Sequence, residues 1–152
     1  MLEIQSFLAS YYFKSKNSNK NSFVLEKFDL NFDKIQNFEG MINPMKYICS
    51  TKEYEALKSS KNKQKDVEQF WIKFTGNKAK AKLLISEYYR RVEGANKYFS
   101  SYKEGWKTDR GMLAIVMGLP TTVYKTNRGE TWIYGTSHDM MLSLTFNFNK
   151  TN

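Results

Sequence analysis

Gly105-Trp106-Lys107-Thr108-Asp109-Arg110-Gly111 leads into an apolar run over residues 112–117, and Gly118-Leu119-Pro120 breaks that run. The heptapeptide holds two glycines, one large aromatic and an adjacent Asp-Arg pair, the make-up of a tight turn between packed elements. A short, uninterrupted apolar run bounded by turn residues reads as a strand buried on both faces. The stretch therefore predicts a junction at which a long helix gives way to a buried strand.

Working outward, residues 78–103 form the clearest helical pattern. Leu84, Tyr88, Val92, Ala95, Phe99 and Tyr102 recur at spacings of three and four, which places them on one face. Lys82, Glu87, Arg90, Arg91, Glu93 and Lys97 fall mostly elsewhere and read as a solvated face. Upstream, Val67, Phe70, Trp71 and Phe74 share another helical face, and Gly76 follows as a C-cap glycine would. Ser50 with Glu53 fits a capping box that opens a shorter helix carrying Tyr54 and Leu57. Gly40 and Pro44 punctuate the chain before it.

Beyond the junction the period changes to two. Thr122 to Thr126 is β-branched and aromatic, and Asn127-Arg128-Gly129 is turn chemistry. Residues 130–134 put Trp132 and Tyr134 on one side of a strand, and residues 141–148 alternate Leu142, Leu144, Phe146 and Phe148 to one face. Near the N-terminus, Phe7, Ala9, Tyr11 and Phe13 alternate before a polar tip over 15–22. Phe23, Leu25, Phe28, Leu30 and Phe32 follow, so this segment predicts a β-hairpin. The expected fold is α+β: about three helices, the last one long, packed on a small antiparallel β-meander with an N-terminal β arm or hairpin. Residues 1–40 are expected to be that arm or the end of a preceding domain, and residues 41–152 the main domain.

The chain has 152 residues, of which 41% are apolar and 16% aromatic, enough for one real core. The apolar run at 112–117 is far too short to cross a bilayer. No signal-peptide pattern opens the chain at Met1, so an exported parent would carry its signal outside this sequence. Cys49 and His138 are the sole cysteine and histidine, too few for a four-ligand structural zinc site. No cofactor motif is present, and Cys49, beside Tyr47-Ile48, reads as a small hydrophobe. The net charge of +9 raises nucleic acid as a partner. Lysine outnumbers arginine twenty to four, however, and arginine is the preferred fork for phosphates and base edges. Nucleic acid is therefore an unfavoured partner. The lysines at 58, 61, 63 and 65 read as a loop and are the first place to look for an anionic one.

The heptapeptide resembles the signature of the GWxTD domain proteins of Bacteroidota and related bacteria. Other segments match in order: Tyr47-Ile48-Cys49-Ser50 through Leu57, then Phe70-Trp71, Glu87-Tyr88-Tyr89-Arg90-Arg91-Val92 and Ala95 through Phe99. Gly118-Leu119-Pro120 and Glu130-Thr131-Trp132-Ile133-Tyr134 complete a resemblance over about residues 41–148. Two positions depart from the family pattern, Thr121 where an acid is usual and Ala114 where an aromatic is common. The resemblance implies a longer, exported parent protein that is periplasmic or outer-membrane-associated, of which this chain is a fragment, with another envelope protein as its partner. It implies no defined activity. The Gly-x-Pro turn between a strand and a Trp-x-Tyr strand is also faintly similar to small outer-membrane lipoproteins of the BamE type.

The candidate site is Gly105, Trp106, Thr108, Asp109, Arg110, Gly111, Gly118, Pro120, Glu130, Trp132 and Tyr134. In an enzymatic or small-ligand reading, Asp109 is a base, Arg110 an anion clamp, and Glu130 their partner in a cleft. In the architectural reading, Trp106 plugs the core, Asp109 and Arg110 tie the turn by hydrogen bonds, and Glu130 completes a buried ion pair with Arg110. No second acid, histidine or nucleophile stands in a recognisable motif beside them, which favours architecture. The expected function is a non-enzymatic binding or scaffolding module of an exported cell-envelope protein.

Overall fold

The computed structural model describes residues 9–14, 22–27, 33–135 and 143–150. At the N-terminus, β1 (Ala9–Lys14) pairs antiparallel with β2 (Ser22–Lys27), Tyr11 standing opposite Leu25. The polar tip and residues 28–32 of the expected hairpin lie outside the described residues.

Among the described residues five α-helices follow, rather than about three. Helix α1 (Phe38–Ile42) is capped by Asn37, whose side chain accepts from the Gly40 N–H at 2.8 Å. A 3₁₀ turn (Asn43–Tyr47) then carries Pro44 near its start and buries Met45 completely. Helix α2 (Thr51–Ser59) begins at the expected capping box: the Glu53 carboxylate accepts from the Ser50 N–H at 3.0 Å, and the Ser50 hydroxyl accepts from the Glu53 N–H. Those Ser50 hydrogen bonds lower the Glu53 pKa. Helix α3 (Lys63–Thr75) stops at Gly76, whose φ of 65° is the left-handed C-cap that glycine reaches without strain.

Helix α4 (Lys78–Phe99) is the spine, 22 residues long and capped by Asn77. It ends at Phe99, so Tyr102 lies beyond it and is exposed, as is Leu84 nearer its start. The buried face is Ala81, Tyr88, Tyr89, Val92, Ala95 and Asn96. Tyr88 donates to the Pro44 carbonyl at 2.7 Å and Tyr89 to the Met41 carbonyl at 3.2 Å. Both rings pack on Trp71 of α3. Burial raises both phenols well above their ordinary range, so they serve as hydrogen-bond donors, Tyr88 to the 3₁₀ turn and Tyr89 to α1. Ile42, Met45, Leu57 and Val67 complete this core from one side and Ile115 from the other.

The largest departure concerns the apolar run. Residues 112–117 are not a strand: they belong to helix α5 (Asp109–Met117), which Thr108 caps and Gly118 ends with φ 84°. Only Gly111, Ala114 and Ile115 of α5 are buried, while Met112 and Val116 reach solvent. The run is apolar throughout because one face meets the core and another is left open. A strand buried on both sides gives the same sequence pattern.

The meander matches expectation. Strands β3 (Thr122–Thr126), β4 (Gly129–Tyr134) and β5 (Leu144–Asn149) form an antiparallel sheet in that order. Register places Val123, Trp132 and Phe146 in one row and Lys125, Glu130 and Phe148 in the next. Leu142 and the His138-Asp139 pair lie outside the described residues.

Candidate functional site

Two glycines decide the geometry of the signature. A Cβ on Gly105 would overlap the Ala95 carbonyl of α4, and one on Gly111 would overlap the Gly105 carbonyl. Main chain thus rests on main chain through three layers: α4, a 3₁₀ turn (Gly105–Lys107) and α5. Thr108 locks the top layer, donating through its hydroxyl to the Gly105 carbonyl at 2.7 Å and accepting from the Gly111 N–H at 3.0 Å. The signature therefore joins helix to helix, correcting the helix-to-strand junction expected from sequence.

Asn96 holds the turn from below. Its buried amide accepts the Trp106 N–H at 3.1 Å and donates to the Asp33 carbonyl at 3.4 Å, which ties residue 33 to the same point. Ser100 accepts the Gly105 N–H at 2.8 Å. Trp106 is half-buried and packs against the edge of the core, closing it without being enclosed by it. Its ring packs edge-on against Tyr47 at 6.2 Å, with the Lys46 and Lys107 ammonium groups 5.1 and 5.3 Å from its centroid. Tyr47 donates to the Trp106 carbonyl at 2.7 Å. The Tyr47 phenol is raised first by burial and then by the Asp109 charge.

Asp109 and Arg110 part company. Asp109 is exposed in the first turn of α5 and makes no hydrogen bond or ion pair among the described residues, so it does not tie the turn. It still favours the helix through the N-terminal dipole. Arg110 reaches the sheet, donating from Nη1 to Glu130 Oε1 at 3.1 Å, with its guanidinium 5.8 Å from the Phe99 ring. Glu130 also accepts from Trp132 Nε1 at 3.1 Å and faces Lys125 at 3.8 Å. Both Glu130 oxygens are therefore engaged, and the expected Arg110–Glu130 pair forms in a half-buried setting. Trp132 is the sheet's buried anchor, its ring tilted against Phe99 at 5.5 Å and edge-on to Phe148 at 5.1 Å. Tyr134 donates to the Gly118 carbonyl at 2.9 Å, which fixes the turn through Leu119 and Pro120.

Arg91 has a role that its placement on the solvated face concealed. It is half-buried, donates from Nε to Glu87 at 2.8 Å, and reaches from Nη1 toward the Ile115 and Val116 carbonyls at 3.3 and 3.5 Å. It thereby satisfies orphan carbonyls at the end of α5. Two guanidiniums, Arg90 and Arg91, hold the Glu87 carboxyl down to about 2. Asn96, Tyr47 and Arg91 fall within the segments that carry the family resemblance, but no sequence pattern assigned them a role, although Arg91 does fall four residues after Glu87, a spacing suited to an ion pair on a helix.

Beside the signature lies an open apolar surface. A depression of about 370 Å³ opens between α3, α4 and α5, lined by Ile48, Phe70, Phe74, Leu84, Ile115 and Val116 among others. Elsewhere, Cys49 is half-buried, and burial with the nearby Glu53 charge pushes its thiol up to about 11, away from nucleophilic use near neutrality. Among the described residues no group of His, Cys, Asp and Glu could hold a metal ion, and no helix is long and apolar enough to cross a membrane. The sheet's second face carries Tyr124 among Thr122, Thr131, Thr145 and Asn147, so aromatics do not pave it.

Compared with known families, residues 9–152 match the family model described as GWxTD domain, a match that begins within the N-terminal strand pair. No curated protein and no solved structure gives a significant match.

Proposed function

The chain belongs to the GWxTD domain family, and from that premise we propose that it is a non-enzymatic binding or scaffolding module of an exported cell-envelope protein. The observation that carries this reading is the open apolar depression between α3, α4 and α5, with Phe74 72% and Val116 48% exposed. A contiguous apolar hollow on a small domain costs solubility unless something covers it. The signature itself is occupied with architecture: its glycines, Thr108 and Arg110 set the helix junction and hold the sheet. Partner contacts accordingly fall on the adjoining apolar surface and not on Asp109. The envelope setting follows from the family resemblance, whose members are exported, and the partner is another envelope protein.

The test is affinity capture from a Bacteroidota envelope extract with three versions of the chain: unchanged, Val116→Lys and Asp109→Ala. Circular dichroism first establishes that each is folded. A partner identified by mass spectrometry, retained by Asp109→Ala and lost by Val116→Lys, is the expected result. Retention by Val116→Lys would overturn the assignment of the surface, and loss confined to Asp109→Ala would return the function to the signature.

A further inference from the structure

We infer that this surface receives an amphipathic helix whose acidic residue sits between two apolar anchors, an inference that rests on the binding role proposed above. The depression between α3, α4 and α5 adjoins a second one of about 260 Å³, and the two share Glu87 and Arg91. Ile48, Phe74, Leu84 and Val116 line the first, while Tyr98 and Leu119 line the second. Among the described residues these are six of the thirteen exposed large apolar side chains, gathered in two adjoining depressions. From Leu84 to Tyr98 the α4 axis runs about 21 Å at 1.5 Å per residue, the length of a four-turn helix.

The ridge between the hollows supplies the charge selection. Arg90 and Arg91 both donate to Glu87, so two guanidiniums share one carboxylate. Arg90 Nη1 and Arg91 Nη2 make no hydrogen bond among the described residues. An arriving carboxylate meets this surplus of cation and donors, with apolar walls on either side to exclude water and strengthen the pairing. A lysine at the same place would face two guanidiniums. A second copy of this chain brings a net charge of +9 against +9.

The probes are two fluorescein-labelled, fourteen-residue, leucine-faced peptides that differ only in a central Glu or Lys, titrated by anisotropy against the full chain. The Glu peptide is expected to bind about tenfold or more tightly than the Lys peptide. Arg90→Gln, a change at an exposed side chain, should shrink that ratio without altering the circular dichroism spectrum, and Val116→Lys should weaken both peptides. Equal binding of the two peptides, or preference for Lys, overturns the inference. So does tighter association with phosphatidylglycerol vesicles than with either peptide, or concentration-dependent dimerisation in sedimentation velocity that Val116→Lys abolishes. Failure of both peptides overturns the helix as occupant; if Val116→Lys still loses its captured partner, the binding role itself stands.

Discussion

Between α4 and α5 main chain touches main chain, at Gly105 on Ala95 and at Gly111 on Gly105. Between the helices and the meander the main chains approach at few points, and long side chains carry the joint: Phe99 on Trp132, Arg110 on Glu130, and Tyr134 on the Gly118 carbonyl. The first kind of joint is steric and close to all-or-none, because a backbone carbonyl has nowhere to go. The second is graded, since each side-chain contact can be weakened alone. The helical body should therefore respond to substitution as one unit, and the sheet should loosen by steps while the helices persist.

Gly105→Ala is the harshest test of this contrast. The added methyl must displace α4 or the turn, and a loss of more than about 3 kcal/mol in urea unfolding is expected, at the upper end of what overpacking costs. The loss should appear throughout the helical body, and a variant as stable as the parent would refute the steric joint. Glu130→Gln comes next. It leaves Arg110 and Lys125 without their carboxylate, and about 1 to 2 kcal/mol is expected. Hydrogen exchange should show that cost in β4 and β5 amides but not in α4; uniform loss would erase the distinction between the two joints. Tyr134→Phe removes one hydrogen bond to the Gly118 carbonyl, worth about 1 kcal/mol, with its effect centred on residues 118–122.

The smallest effect is a pH dependence. The Glu87 carboxyl lies below its ordinary value of 4.5, at about 2, chiefly through hydrogen bonds from Arg90 and then Arg91. A depressed carboxyl contributes stability that is complete above about pH 4.5 and is lost as pH falls through about 2. The unfolding-temperature difference between the parent and Glu87→Gln should therefore be constant above pH 5 and shrink between pH 4.5 and 2. The side chain is solvent-exposed, so the difference is small, and its absence at all pH values would remove Glu87 from the α4–α5 tether.

Legibility in the sequence followed the range of each interaction. Ser50 with Glu53, Gly76, and the alternation through β3, β4 and β5 are local signals, because cap geometry and strand period are set within a few residues. The Arg110–Glu130 pair was readable one step further out, since Glu130 shares a strand face with Trp132 next to the junction. The apolar run was misread because six apolar residues have no period to measure. Thr108 followed by Asp109 is a helix-start signal that points to α5, but it was absorbed into the expected turn. The roles of Asn96 and Tyr47 are not legible because each acts on the Trp106 backbone across a turn or from another element, 10 and 59 residues away.

The sequence by itself determined that the chain is α+β, with helices before an antiparallel meander, that Ser50 opens one helix and Gly76 closes another, and that the signature is a close-packed junction. Those properties follow from residue type and short-range periodicity. Only the tertiary structure decided that the junction joins two helices, that Trp106 sits half-buried against Tyr47 at the edge of the core, and that α5 turns an apolar face outward beside Arg91. Each of these depends on which surfaces meet once α4 is in place. A side chain's solvent exposure there is fixed by neighbours dozens of residues away, and no local pattern encodes it.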